Sequence, residues 1–381
     1  MLQEYSYIYS IPYCILLGIL VYLYWREQNH DLTAGRKAFF FLLIFIGLRG
    51  FVASDYINYY TFFQELPTVF DLQFESLYDD GVEFGFVLYS SLIKTILPNY
   101  HCWVFINTLV DLSVCFWVFR KFSLSIVLSF IVFFAIQGLT LEFNLYRNVK
   151  AIDCFLLSLP YLKERKILPY LALNLLGTLF HLTSFLYLPM YFVLTKRIPN
   201  IIIWGAFIAV NLMMFLKISI TGKAVDLLLP LMGIESMATK LSEYYGNSSD
   251  AYGLSIGYIE RTFAFILFTV MRKKLVMQQA YNRIFYNCFF LYYIIFHLFI
   301  DVEVFADRIP ILFVFSYWVL YPNALALIHK KSKKQLLLSF LLLLCLMKTL
   351  SYSSYVMNIY DNLLWGIRSF EERTQIFYRY M

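Results

Sequence analysis

Long apolar runs broken by short polar turns fill almost the whole chain. The runs are continuous rather than alternating between apolar and polar positions. That is the pattern of helices in lipid and not of barrel strands. Taken by length and flanking charge, they predict a first span over 5–25 and others over about 38–53, 123–141, 146–162, 167–180, 182–195 and 199–217. The series continues over about 255–271, 284–300, 309–328 and 336–350. With the stretch 84–119, this makes about 11–13 spans, several shorter than the ~20 residues of a full crossing. Short spans of this kind point to tilted or broken helices that line a cavity.

Composition agrees with the pattern. The chain has 381 residues, 61% hydrophobic and 15% charged, with a mean hydropathy of +0.66. The fold class expected is an all-α polytopic membrane protein. No basic segment precedes the first apolar run and no small-residue cleavage site follows it, so 5–25 is expected to be a retained span. There is no internal repeat. Residues 1–350 therefore read as a single membrane domain with larger external loops at 54–83 and 218–254. Residues 351–381 mix Arg368, Glu371, Glu372, Arg373 and Arg379 with Trp365, Phe370, Phe377 and Tyr378, and read as an amphipathic, interfacial tail.

Charge orients the spans. Arg26, Arg36 and Lys37; Lys163, Arg165 and Lys166; Lys196 and Arg197; Arg272 to Lys274; and Lys330 to Lys334 form the basic loops, which belong inside. The segment from Ser54 to Glu83 has seven acids, among them Glu75, Asp79 and Asp80, and no Lys or Arg, which places it outside. The turn holding Asp301, Glu303, Asp307 and Arg308 falls outside too. The stretch 84–119 is ambiguous. It must cross an odd number of times to bring Arg120 inside, yet Pro98-Asn99 divides it into two apolar pieces. Either the first piece is a re-entrant or surface helix, or Arg120 and Lys121 lie outside. The net charge of +6 follows from these loops and gives no reason to invoke nucleic acid.

This topology gathers polar groups at the outer ends of spans: Arg49, Asp55, Glu83, Arg147, His181 and Arg308. Ionisable groups at such positions are costly and mark function by default. Each has an ordinary alternative. A terminal arginine can snorkel to lipid phosphate, His181 can cap a helix break, and Asp55 and Glu83 can be solvated loop acids. Asp79-Asp80 reads as a solvated pair rather than a metal site. Asp111, Lys94 and Asp153 fall in or near spans and suit helix-to-helix pairing. The six cysteines form no Cys-x-x-Cys, so neither zinc nor a disulfide framework is indicated. No nucleotide-binding or His-Glu-x-x-His motif occurs, so no cofactor or metal is expected.

Local signatures run in order along the chain: Gly47-Leu48-Arg49-Gly50, Asp55-Tyr56-x-x-Tyr59-Tyr60, Glu83-x-Gly85-Phe86, Tyr146-Arg147-x-x-Lys150-Ala151, Phe180-His181-x-Thr183-Ser184 and Asp307-Arg308-Ile309-Pro310. Together, over roughly residues 1–330, they resemble the EpsG-like group of Wzy-type polysaccharide polymerases. Arg147-Asn148 stands where that group usually has Arg-Gln. The resemblance implies a GT-C-like helical architecture with an outward-facing cavity, in the bacterial cytoplasmic membrane. It implies polymerisation of polyprenyl-diphosphate-linked oligosaccharide units at the outer face, for capsule, exopolysaccharide or O-antigen. Donor and acceptor glycolipids, membrane lipids, a chain-length regulator and a flippase are the partners it suggests.

The residue types suit that chemistry. Arg49, Arg147 and Arg308 could bind a departing diphosphate. Asp55, Glu83 and His181 are the candidate bases for an acceptor hydroxyl, and Tyr59 and Tyr60 could contact sugars. An O-antigen ligase would share this site and differ in its acceptor. A lipid-linked-glycan transporter or flippase would be expected to carry repeats and a midplane ion site. A membrane sugar acyltransferase would place its His and Arg inside.

Overall fold

The computed structural model describes residues 4–73, 81–218, 255–300 and 303–380. Glu75, Asp79, Asp80, Asp301, nearly all of the 218–254 loop and the side chains of Glu303 and Asp307 lie outside the described residues. The described chain is helical, with isolated bridges and no sheet. Among the described residues, four helices are long and apolar enough to cross a bilayer: Tyr7–Gln28, Tyr100–Phe122, Ile126–Asn144 and Lys331–Ser353. Shorter apolar helices accompany them at Phe84–Ile96, Ile167–Thr178, Leu182–Val193 and Asn200–Phe215. Large apolar side chains such as Ile11, Ile15, Leu336 and Leu343 point outward, as lipid-facing surfaces do. The protein is an all-α polytopic membrane protein.

The chain forms two compact units, 1–191 with 321–381, and 192–320. The first contains α1 (Ile11–Gln28), α2 (Ala34–Gly47), α3 (Tyr56–Glu65), α4 (Phe84–Ile96) and α5 (Tyr100–Phe122). It continues through α6 (Ile126–Phe133), α7 (Leu139–Asn144), α8 (Tyr146–Lys163) and α9 (Ile167–Thr178). Here α8 packs on α5 and α9, and α1 packs on α2 and α6. Glu27, near the end of α1, accepts the amides of Ile126 (3.0 Å) and Val127 (3.2 Å) and the Ser125 hydroxyl. It thereby satisfies the free donors at the start of α6. Between α6 and α7 the helix breaks: Gln137 has φ +63°, and a side chain at Gly138 would meet the Phe133 carbonyl.

The stretch 84–119 forms two helices divided at Pro98-Asn99. Asn99 caps α5, accepting from the amides of His101 (2.9 Å) and Cys102 (3.2 Å), and α5 is long enough to cross. The 13 residues of α4 rise only ~20 Å at 1.5 Å per residue. Lys94, in its last turn, donates to the Phe63 (2.7 Å), Gln64 (2.8 Å) and Leu66 (2.6 Å) carbonyls and so caps α3. Tyr100, at the start of α5, packs on Phe51 and Tyr60, while Phe86 at the start of α4 packs on Trp103. α4 therefore packs along both α3 and α5.

The expected hairpin over 167–195 also takes a particular form. Its first arm is α9. Its second is a 3-10 run, Leu182–Tyr187, followed by the one-turn α10 (Met190–Val193). Pro189 interrupts regular helix between them.

The second unit contains α11 (Asn200–Phe215), α12 (Ile256–Gln278), α13 (Asn282–Leu298), α14 (Glu303–Arg308) and a 3-10 turn, Pro310–Phe313. Phe265 joins its helices, stacking with Phe207 at 4.8 Å and meeting Tyr293 at 4.5 Å. Asn211 donates to the Tyr293 hydroxyl (2.9 Å) and accepts from Tyr258 (2.8 Å).

The chain returns to the first unit at Tyr321, within α15 (Phe315–Ala326), and α16 (Lys331–Ser353) and α17 (Phe370–Tyr380) follow. The segment between α16 and α17 is built into this unit. Gly50 N donates to Asp361 O (3.0 Å) and Leu363 N to Leu48 O (2.9 Å). Arg373 is fully buried and donates to the Met357 carbonyl (2.8 Å). Tyr60 stacks on Phe370 with ring centres 4.2 Å apart.

Candidate functional site

Three breaks in helical structure meet in the first unit. Leu145, between α7 and α8, has φ −120° and ψ 45°, which frees the turn that starts α8 at Tyr146 and Arg147. Glu83 is the extended residue before α4. His181 is extended where α9 gives way to the 3-10 run. Gly85 explains how two of these breaks dock. Its amide donates to the Leu179 carbonyl at 2.8 Å, and a Cβ there would lie 2.7 Å from that same oxygen. Only glycine allows the backbones so close.

Glu83 is the hub. One carboxylate oxygen receives Arg147 Nη1 at 2.7 Å, and the other receives Leu182 N at 3.2 Å. Arg147 Nη1 also reaches the Gly81 carbonyl at 3.2 Å. About a quarter of the Arg147 side chain remains exposed, at 28%. The amide that Glu83 accepts is the first of the 3-10 run, so the acid also caps that turn.

His181 Nδ1 lies 2.7 Å from Thr183 Oγ1 and accepts the Thr183 amide at 3.2 Å. A ring nitrogen that accepts an N–H carries no proton itself, so the neutral ring has its hydrogen on Nε2.

Asp55 and Tyr59 border this group through Asn144. The Asn144 side-chain oxygen accepts the amides of Ser54 and Asp55, each at 3.3 Å, and its carbonyl accepts from the Tyr59 hydroxyl at 3.5 Å. The Tyr59 ring meets Tyr146 edge-on at 4.5 Å. The Tyr59 hydroxyl also interacts with Arg147, while burial pushes the phenol up, so it stays protonated. Asn144 has no counterpart in the sequence expectations; its signal was its place one residue before the α8 break.

The other expected residues are placed differently. Arg49 is buried. Its guanidinium donates to the Ile46 (2.5 Å) and Glu142 (2.6 Å) carbonyls and to the Tyr146 hydroxyl, and lies 4.6 Å over the Phe143 ring. It therefore supports the residue beside Arg147. Tyr60 is half-buried and packs on Phe51, Tyr100 and Phe370. Arg308 ends α14 in the second unit and is exposed.

One turn along α8 from Arg147 lies a buried ionic group. Lys150 pairs with Asp111 on α5, donates to the Asn107 carbonyl at 3.1 Å and sits 5.4 Å from the Tyr89 ring centre. Asp153 is buried beside it. Among the described residues no cluster of His, Cys, Asp and Glu suits a metal ion. The arrangement presents a partly exposed arginine, a fixed carboxylate, an imidazole of set tautomer and a neutral phenol.

The sequence matches the EpsG family over residues 35–364. No curated protein and no solved structure matches it. That family is one of Wzy-like polysaccharide polymerases, and its match takes in α2, the Glu83–Arg147 pair, His181 and the segment that meets Arg49. The chain belongs to the EpsG family and is a membrane protein of polysaccharide-polymerase type.

Proposed function

We propose that the protein transfers a growing glycan from its polyprenyl diphosphate onto a hydroxyl of the next lipid-linked repeat unit, at the outer face of the bacterial cytoplasmic membrane. The observation that carries this reading is the junction at Glu83, which holds Arg147 and the turn beside His181 on one carboxylate.

Departure of a lipid diphosphate builds negative charge on phosphate oxygens. Arg147 can receive that charge through a planar, always-charged group, fixed in advance by Glu83 and the Gly81 carbonyl. Prior fixing matters because reorientation would otherwise add to the barrier. His181, with hydrogen on Nε2, is suited to donate to the same oxygens. The role of base then passes to a carboxylate. Both Glu83 oxygens are engaged, so Glu83 serves as a positioning group, and Asp55 is the residue we assign to the acceptor proton. Tyr59 donates a hydrogen bond near Arg147. The bond energy of the donor drives the reaction, which accords with a sequence lacking ATP-binding motifs.

The test is a glycan gel from a strain lacking the gene, complemented with wild type or Arg147→Ala. A long-chain ladder restored by wild type alone, with single units still present, supports the proposal. Disappearance of single units from the surface would point instead to export. Single units present on the final acceptor only when this gene is intact would point to a ligase.

A further inference from the structure

The second unit holds a basic cleft that the polymerase reading does not use. Lys196 and Arg197 before α11, Arg272 and Lys273 on α12, and Arg283 in the first turn of α13 line one cleft of about 280 Å³. No carboxylate lines it. Five like charges around one concavity repel each other unless an anion enters.

The cleft is built rather than incidental. Arg272 is held by the Ile198 carbonyl (2.9 Å) and Asn200 Oδ1 (2.5 Å), with its guanidinium 5.3 Å from the Tyr286 ring centre. Asn287 is buried and donates to the Leu194 (2.7 Å) and Lys196 (2.9 Å) carbonyls, which fixes the loop carrying Lys196 and Arg197. The 17-residue α13 begins at this cleft, and its positive end adds to the field. The remaining walls are apolar: Ile198, Val276 and Met277. Met277 is 79% exposed. A water-soluble anion has no use for such a rim, whereas acyl chains do. The same loops belong on the cytoplasmic side by the positive-inside rule, where anionic headgroups are abundant.

We infer that this cleft binds the phosphate headgroup of an anionic membrane lipid. The inference is independent of the donor chemistry proposed above.

The experiment uses the full-length protein in detergent, with native mass spectrometry reading bound phosphatidylglycerol against phosphatidylcholine. The variant Arg197→Gln/Lys273→Gln/Arg283→Gln leaves Arg272 and its loop contacts intact. The control Lys330→Gln/Lys331→Gln/Lys334→Gln removes as much charge from another basic loop. Wild type and control should retain phosphatidylglycerol selectively, and the cleft variant should lose it by about fivefold for each cation removed. Arg283→Gln alone should show the single-step loss and serves if the triple variant does not accumulate. Equal loss in the control, no lipid preference in wild type, or displacement by millimolar inorganic phosphate or pyrophosphate would overturn the inference; the last would make the cleft a soluble-anion site.

Discussion

Glu83 and Arg147, 64 positions apart in sequence, meet at 2.7 Å, and the carboxylate that holds the arginine also holds the Leu182 amide. A partly exposed ion pair of this sort contributes only about 0–1 kcal/mol to stability. Its consequence should therefore appear in function rather than in folding. Glu83→Gln can still accept the Leu182 amide but no longer fixes Arg147 by charge. Polymer formation should fall by about tenfold or more, the scale expected when a fixed transition-state contact is lost, while protein level and melting midpoint stay near wild type. A glycan ladder alongside a membrane immunoblot measures both, and a wild-type ladder from Glu83→Gln would remove the pair from the mechanism.

Arg147→Lys is the sharper test of the arginine. Lysine retains the charge and loses the fork that reaches the Gly81 carbonyl, Glu83 and a phosphate together. We expect the Lys variant to resemble Arg147→Ala in the same gel. Full chain extension by Arg147→Lys would reduce the residue's part to that of a point charge.

Gly85→Ala should couple structure to activity. The added methyl would sit 2.7 Å from the Leu179 carbonyl and from its Cβ, so α4 must withdraw from the tip that carries His181. Overpacking of this kind costs about 1–3 kcal/mol. The expected result is a lower melting midpoint together with lost polymer. Gly205, where a Cβ meets nothing within 4 Å, provides the control: Gly205→Ala should leave both unchanged.

These residues also mark how far the sequence could be read. Helical class and membrane character followed from continuous apolar runs. Glu83, Arg147 and His181 could be singled out because each falls at the end of an apolar run, where the cost of burying polar groups makes ionisable residues informative. Arg49 had the same signature, yet it is turned inward onto the Ile46 and Glu142 carbonyls; position at a span end does not say which way a long side chain turns. The Gly50 amide meets Asp361, and a Cβ at Gly50 would meet the Asp361 carboxylate. Nothing local in sequence joins those two segments, so the packing of 355–363 against the Arg49 region was not legible. Tyr60 was read as a sugar contact from its motif, while its ring stacks on Phe370 of the final helix.

Arg49→Met should act on the protein as a whole. Removing the guanidinium strands the buried Ile46 and Glu142 carbonyls, at about 1–3 kcal/mol for each unsatisfied group. The variant should accumulate poorly and melt earlier in detergent, with activity falling in proportion to folded protein. Normal accumulation with abolished polymer would instead place Arg49 in direct contact with the substrate.

Lys150 and Asp111 allow the buried charge beneath the site to be weighed. Both side chains are almost wholly buried and pair between α8 and α5. Lys150→Met leaves Asp111 uncompensated and should destabilise the protein by about 3–5 kcal/mol, while Asp111→Leu, which leaves Lys150 with Asp153, should cost less. The double variant removes both charges, so its cost should be well below the sum of the two single costs. Asp153 interacts with both groups, so the same cycle repeated in Asp153→Asn separates its part from that of the pair. Thermal melts of the purified set supply the stabilities, and the glycan ladder supplies the activities. If the double variant is stable but inactive, the pair does more than join two helices: one turn below Arg147, it would set the field in which that arginine works. Additive single costs would mean that the two groups are stabilised separately, and the ion pair would then have no part in holding α8 against α5.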